Sequence, residues 1–225
     1  MRIRFVWISA IITSIIAWFF SFTNGYVLTY NDAASHLNIA RRIVDNLTPG
    51  LAQIGTVWLP LPHLLMLIFA WSDFMWHTAL AGSIVSMTAY VVTVLFTYKL
   101  ILLLTENNKP AATVGTLILG LNPNFLYLST TPMTEPVLIA SFTLSVFFLA
   151  KYIKTKEILN LILGGIFVMA STLVRYDGWF LFICLTLLLL VWSLIALGKK
   201  KAEGIVLLFI SIGGFGIVLW LLWNL

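Results

Sequence analysis

Charge is what this sequence has least of. Asp, Glu, Lys and Arg make up 9% of its 225 residues, where a soluble domain carries roughly 25%. So few charges cannot cover a folded surface in water, which excludes an ordinary soluble domain and makes lipid the solvent for much of the chain. Cysteine is nearly absent as well. Cys184 stands alone, which excludes an internal disulfide and any multi-cysteine zinc site; within an apolar run it reads as a small hydrophobe. A long basic tract is also missing. The net charge of +5 comes from short lysine and arginine clusters between apolar runs, a distribution that suits a membrane surface and not nucleic acid.

What is abundant is apolar sequence, at 61%. A crossing of the hydrocarbon core takes about 20 apolar residues, and seven stretches qualify: 5–22, 79–104, 111–128, 136–153, 158–174, 179–197 and 205–223. The first is longer than the apolar core of a signal peptide and no small-x-small cleavage site follows Phe22, so it reads as a retained helix. The predicted fold class is therefore all-α, a polytopic membrane helix bundle of about seven spans forming one module over residues 1–225. Arg2 and Arg4, Lys99 and Lys109, Lys151, Lys154 and Lys156, and Lys199 to Lys201 all fall on one side if the chain crosses seven times. The positive-inside rule makes that side cytoplasmic, with the N-terminus inside and the C-terminus outside.

One long external loop, 23–78, separates the first two spans. Residues 33–47 place Leu37, Ala40, Ile43, Val44 and Leu47 on one stripe with polar residues opposite, the pattern of an amphipathic helix. Asn31 or Asp32 is its expected N-cap, and Pro49–Gly50 its stop. Residues 57–71 are apolar but interrupted by Pro60, Pro62 and His63, and are flanked by tryptophans. Counting them as a span would put the lysine clusters outside, so they read as an interfacial helix.

With this topology, three polar-aromatic strings fall on the non-cytoplasmic face: Tyr30-Asn-Asp-Ala-Ala-Ser-His36, Thr130-Thr-Pro-Met-Thr-Glu-Pro136 and Arg175-Tyr-Asp-Gly-Trp179. Asp32 can cap a helix, act as a general base, or join His36 one turn later on a metal ion. No short metal motif accompanies it, so a divalent metal is possible without being required. Arg41 and Arg42 form an Arg pair on a face where such pairs are disfavoured. They suit a phosphate, with Arg41 the first choice, or else lipid headgroups and an Arg41–Asp45 pair. Glu135 starts a helix, where the dipole favours it. Arg175 ends an apolar helix and needs an anion, for which Asp177, Glu135 or a ligand phosphate would serve. His63 and His77 read as interfacial side chains.

Taken in order, Tyr30-Asn-Asp32, the helix Asp32-Ala-Ala-Ser-His36-Leu-Asn-Ile-Ala-Arg41-Arg42, Pro132-Met-Thr-Glu135-Pro136 and Arg175-Tyr-Asp177-Gly-Trp179 resemble the GT-C superfamily of integral-membrane glycosyltransferases, in its protein O-mannosyltransferase and aminoarabinose transferase-like branch. The resemblance spans the chain. It implies a seven-helix module with two short helices in the first external loop, and transfer of a monosaccharide from a polyprenyl-phosphate-linked donor to an acceptor on the non-cytoplasmic face. Asp32 would be the catalytic base; His36, Arg41, Arg42, Glu135, Arg175 and Asp177 would bind substrate. Many members carry an adjacent acidic pair in the first loop, whereas Asn31 precedes Asp32 here. Members also usually continue past this module, so a further C-terminal region is expected to be absent from this chain. The rival readings are a transporter or flippase of a lipid-linked substrate, and an inactive membrane scaffold.

Overall fold

Lipid offers the backbone no hydrogen-bond partners, so each apolar stretch must close its own amide bonds, and the helix does this locally. The computed structural model describes residues 3–225, and among these it is helical with no strand. The helices are α1 (Ile3–Thr23), α2 (Asn31–Arg42), α3 (Leu61–Ala70), α4 (Asp73–His77), α5 (Leu80–Leu104), α6 (Lys109–Gly120), α7 (Pro123–Leu128), α8 (Glu135–Thr155), α9 (Ile158–Thr172), α10 (Asp177–Leu197), α11 (Lys199–Gly213) and α12 (Phe215–Trp223). Five candidate spans are long and apolar enough to cross a membrane: α1, α5, α8, α10 and α11–α12 taken together. The chain forms two compact units, Met1–Ala140 and Ser141–Leu225.

In the first unit α5 packs against α1, α3, α4 and α6. Val6 and Ala10 of α1 meet Tyr90, Val94 and Tyr98 of α5 in a cluster that also takes in Ala112 and Phe125. Tyr90 donates its hydroxyl to the Gly120 carbonyl at 2.8 Å. A buried phenol and a helix-end carbonyl thus satisfy each other away from water.

The predicted 111–128 span is not one helix. It stops at Gly120 and restarts at Pro123, with the Asn122 side chain accepting from the Phe125 amide at 3.0 Å. Proline lacks the amide that a continuing helix needs and suits a first turn, and asparagine is a strong cap, so Asn122-Pro123 ends one helix and begins the next. The amphipathic helix also differs from its predicted bounds. It starts two residues earlier and ends at Arg42, leaving Val44 and Leu47 exposed and off the stripe. Its N-cap is Tyr30, with no side-chain cap, so Asp32 sits in the first turn instead of capping it. The 57–71 segment contains one short apolar helix, α3, whose ten residues rise about 15 Å.

In the second unit Leu161 and Val168 of α9 pack with Leu181, Leu185 and Leu189 of α10 and Val206 and Phe209 of α11. Gly178 lets α10 begin hard against the end of α9: a Cβ there would lie 2.1 Å from the Ser171 carbonyl oxygen. Trp179 follows by donating its indole N–H to the Thr172 carbonyl at 3.0 Å. The Thr172 carbonyl belongs to the last turn of α9, which the helix itself leaves unpaired, while the Ser171 carbonyl accepts from the Val174 and Arg175 amides at 3.1 and 3.3 Å.

Candidate functional site

The connection between α1 and α5 is held together by Arg41. Its side chain is 12% exposed and all five of its N–H donors are engaged. Nε and Nη2 fork onto Asp45 at 2.9 and 2.6 Å, Nη2 also reaches Asp73, and Nη1 donates to the Ala70 and Trp71 carbonyls at 3.1 and 2.9 Å. The guanidinium also lies 5.2 Å from the Trp76 ring centroid. A planar five-donor fork can bind a helix C-terminus and two carboxylates at once, so Arg41 ties α2 to the end of α3 and to α4. Bonding to Asp45, with Asp73 acting in the same sense, raises its pKa against the opposing pull of burial.

The predicted Arg41–Asp45 pair is therefore present, with Asp73 as a partner the sequence did not announce. Arg42 is exposed and makes no hydrogen bond or ion pair among the described residues. A phosphate thus has uncommitted donors at Arg42 and none at Arg41.

Behind Asp32 lies a buried histidine pair. His36 Nδ1 and His63 Nε2 are 2.9 Å apart; His36 is 4% exposed and His63 wholly buried. Trp58 packs on the His36 side of the pair, its ring centroid 4.6 Å from that of His36. In this geometry one ring nitrogen donates to the other, so a single proton lies between them. A second proton is resisted: burial first, then the His36 charge, with Arg42 adding to it, pushes the His63 pKa from 6.5 down to about 3. His63 Nδ1 has no hydrogen-bond partner of good geometry, so the Leu59 backbone, which pulls the pKa weakly upward, is an electrostatic neighbour more than a bond.

The sequence predicts an interfacial side chain at His63, and the structure buries it completely. The signal that it needed a partner was available, because a polar ring inside an apolar helix must be paired or pay for its burial.

Asp32 is exposed and, among the described residues, makes no hydrogen bond or ion pair. Its string is tied to the second string through Tyr127 of α7. That hydroxyl donates to the Tyr26 carbonyl at 2.9 Å, and the ring packs on Tyr30 at 5.7 Å. Beyond Tyr127 the chain enters a turn in which Ser129, Thr130, Thr131 and Thr134 are all buried. Ser83 of α5 donates to the Thr130 carbonyl at 2.8 Å, and Ser86 to Thr131 at 2.6 Å. Gly82 completes the seat, since a Cβ there would fall 2.4 Å from Pro132 Cβ. Glu135, the first residue of α8, emerges half-buried from this turn.

Arg175 and Asp177 belong to the second unit. Arg175 Nε donates to Asp177 Oδ2 at 3.1 Å, so Asp177 supplies an anion for the helix end. Among the described residues no group of three or more His, Cys, Asp or Glu side chains is arranged to hold a metal ion.

No family model, curated protein or solved structure matches the chain. The first unit therefore has to be read from its own chemistry, which consists of an unengaged carboxylate, a buried histidine pair one helical turn along, and one uncommitted guanidinium ten residues along the same helix.

Proposed function

We propose that this chain is a GT-C-type membrane glycosyltransferase module that transfers a monosaccharide from a polyprenyl-phosphate-linked donor to an acceptor hydroxyl on the non-cytoplasmic face of the cell membrane. The observation that carries the reading is the state of Asp32: exposed, without a partner, and one helical turn from a buried histidine pair that fixes its helix. A carboxylate with no ion pair to satisfy is available to take a proton.

In the proposed reaction Asp32 removes the proton of the acceptor hydroxyl. The acceptor oxygen bonds to the anomeric carbon as the bond from that carbon to the donor phosphate breaks, inverting the centre. The electron pair leaves on the phosphate, where the charge of Arg42 stabilises it. Arg41, fully engaged, holds the loop in shape, and the His36–His63 pair sets the seating of α2 on α3. In this proposal α6–α7 and α9 complete seven crossings, with the N-terminus cytoplasmic and α3 in the outer interface beside the polyprenyl chain.

A flippase of a lipid-linked substrate is the second reading, and the break at Asn122-Pro123 is what favours it, because transporters use interrupted helices. Ionisable residues inside a span mark substrate pathways, and Leu121, Asn122, Pro123 and Asn124 include none. The enzyme reading therefore leads.

The test is transfer of radiolabelled sugar from a polyprenyl-phosphate donor in membranes containing the chain. Asp32→Asn is expected to lower the rate by about 10²–10⁴-fold, the usual worth of general base catalysis. Transfer at an unchanged rate in Asp32→Asn sinks the base assignment. Donor flipping without any transfer establishes the second reading.

A further inference from the structure

Away from the candidate site, the seam between α1 and α5 carries two openings that share Trp7. One, of about 480 Å³, is bounded by Ile3, Arg4, Trp7, Ile8, Leu95 and Lys99. The other, of about 370 Å³, continues past Ile11 and Ile15 to Ile84 and Thr88. From Ile3 to Ile15 the groove follows α1 for about 18 Å at 1.5 Å per residue. That compares with about 15 Å for half of a 30 Å hydrocarbon core.

The walls are predominantly apolar, with the hydroxyls of Ser14 and Thr88 their only uncharged polar side chains besides the Trp7 indole, and the charge is confined to one end, where Arg4 and Lys99 stand together. Neither is ion-paired among the described residues, and the Lys99 ammonium rests 4.3 Å from the Phe96 ring centroid. Ile8, Ile12, Ile15 and Ile16 beside it on α1 are each more than half exposed, so this side of the helix faces lipid.

We propose that this seam is a binding site for one anionic glycerophospholipid, with an acyl chain in the groove and the phosphate between Arg4 and Lys99. The occupant follows from three matched properties. The length fits one leaflet, the apolar walls fit a hydrocarbon chain, and two unpaired cations at the headgroup end require an anion. A zwitterionic lipid answers them less well, because its ammonium group is repelled by the same pair. Basic residues at the end of a transmembrane groove recognise anionic headgroups in this way. The site is independent of the glycosyltransferase reading and stands or falls separately.

The experiment is native mass spectrometry of the purified full chain released from nanodiscs of equimolar phosphatidylglycerol and phosphatidylcholine. One retained phosphatidylglycerol in clear preference to phosphatidylcholine is expected. Arg4→Gln with Lys99→Gln should lower that preference by about 5-fold per cation removed. Lys109→Gln with Lys154→Gln, the same charge change outside the groove, should leave it intact. Thr88→Trp, which fills the groove without touching either cation, should reduce retention of both lipids. Equal retention of the two lipids by the unaltered chain overturns the proposal. So does an equal loss in the Lys109/Lys154 control, which would mark a bulk charge effect, or unchanged retention in Thr88→Trp.

Discussion

Acid should unlatch α2 from α3, and the cause is His63. In the docked loop its pKa is held at about 3, mainly by burial, whereas an exposed histidine titrates near 6.5. Because the docked state resists the proton, the undocked state binds more protons between these values, and stability rises with pH across that window. The docked arrangement is therefore fully favoured above about pH 6.5 and weakens as the pH falls toward 3. The size follows directly: at pH 5.5 the undocked population should rise about 10-fold relative to neutral pH, and at pH 4.5 about 100-fold, or roughly 1.4 kcal/mol per pH unit. Hydrogen exchange of the α3 amides, corrected for the intrinsic pH dependence of exchange, reads this population. Trp58 fluorescence provides a second signal, since the indole packs on His36. His63→Leu should flatten the pH dependence below 6.5 while costing stability at neutral pH, because His36 loses its partner. Protection of α3 that does not change between pH 7 and 4.5, or that changes equally in His63→Leu, refutes the reasoning.

Arg41→Ala should expose 43–57 to limited proteolysis, with a loss of about 2–3 kcal/mol in loop docking. Most of this comes from the two backbone carbonyl bonds, at about 1 kcal/mol each, because Asp45 and Asp73 are 60% and 75% exposed and screened by water. Arg41→Lys keeps the charge but not the fork, and should recover only part of the protection. Gly178→Ala drives a Cβ into the Ser171 carbonyl and should cost at least the upper end of the ~1–3 kcal/mol seen for overpacking, measured as a fall in Tm in detergent. Gly204→Ala, where nothing lies within 4 Å, should be neutral or raise Tm through helix propensity.

Apolar periodicity and length sufficed for the helical class and for the long spans, because lipid leaves an apolar segment few alternatives to a helix. Two short helices of the first loop, α2 and α3, were likewise legible from the stripe at Leu37 and Ala40 and from Pro60 and Pro62 at the start of α3, whereas α4 was not. Local rules failed where a strong terminator sits inside an apolar run. Asn122-Pro123 carries a cap and a first-turn proline, yet hydrophobicity on both sides outweighed them in the reading. The end of α2 was placed too late for the opposite reason: Val44 and Leu47 fit the helical period, but no neighbour covers them once the chain turns away.

The site divided along similar lines. Asp32 and the Arg pair stood out because charge is rare in this composition. The assignment of roles between Arg41 and Arg42 did not, because Asp73 and the Ala70 and Trp71 carbonyls lie about thirty positions away in the chain. The same distance hid the pairing of His36 with His63, whose separation is 27 residues.

α5 shows how such long-range fits limit what the gene can tolerate. Gly82, Ser83 and Ser86 hold the turn before Glu135, while Tyr90, Val94 and Tyr98 on the next turns meet α1 and its neighbours. Each added residue rotates everything beyond it by about 100° around the helix axis. One codon inserted or deleted between positions 86 and 90 would keep α5 apolar, helical and long enough to span. It would nevertheless swing the tyrosines off their partners while the serines kept theirs. Substitutions at an exposed position such as Thr88 should leave the helix packing intact even where they alter the groove, so for the fold in this stretch a change of length is more damaging than a change of residue.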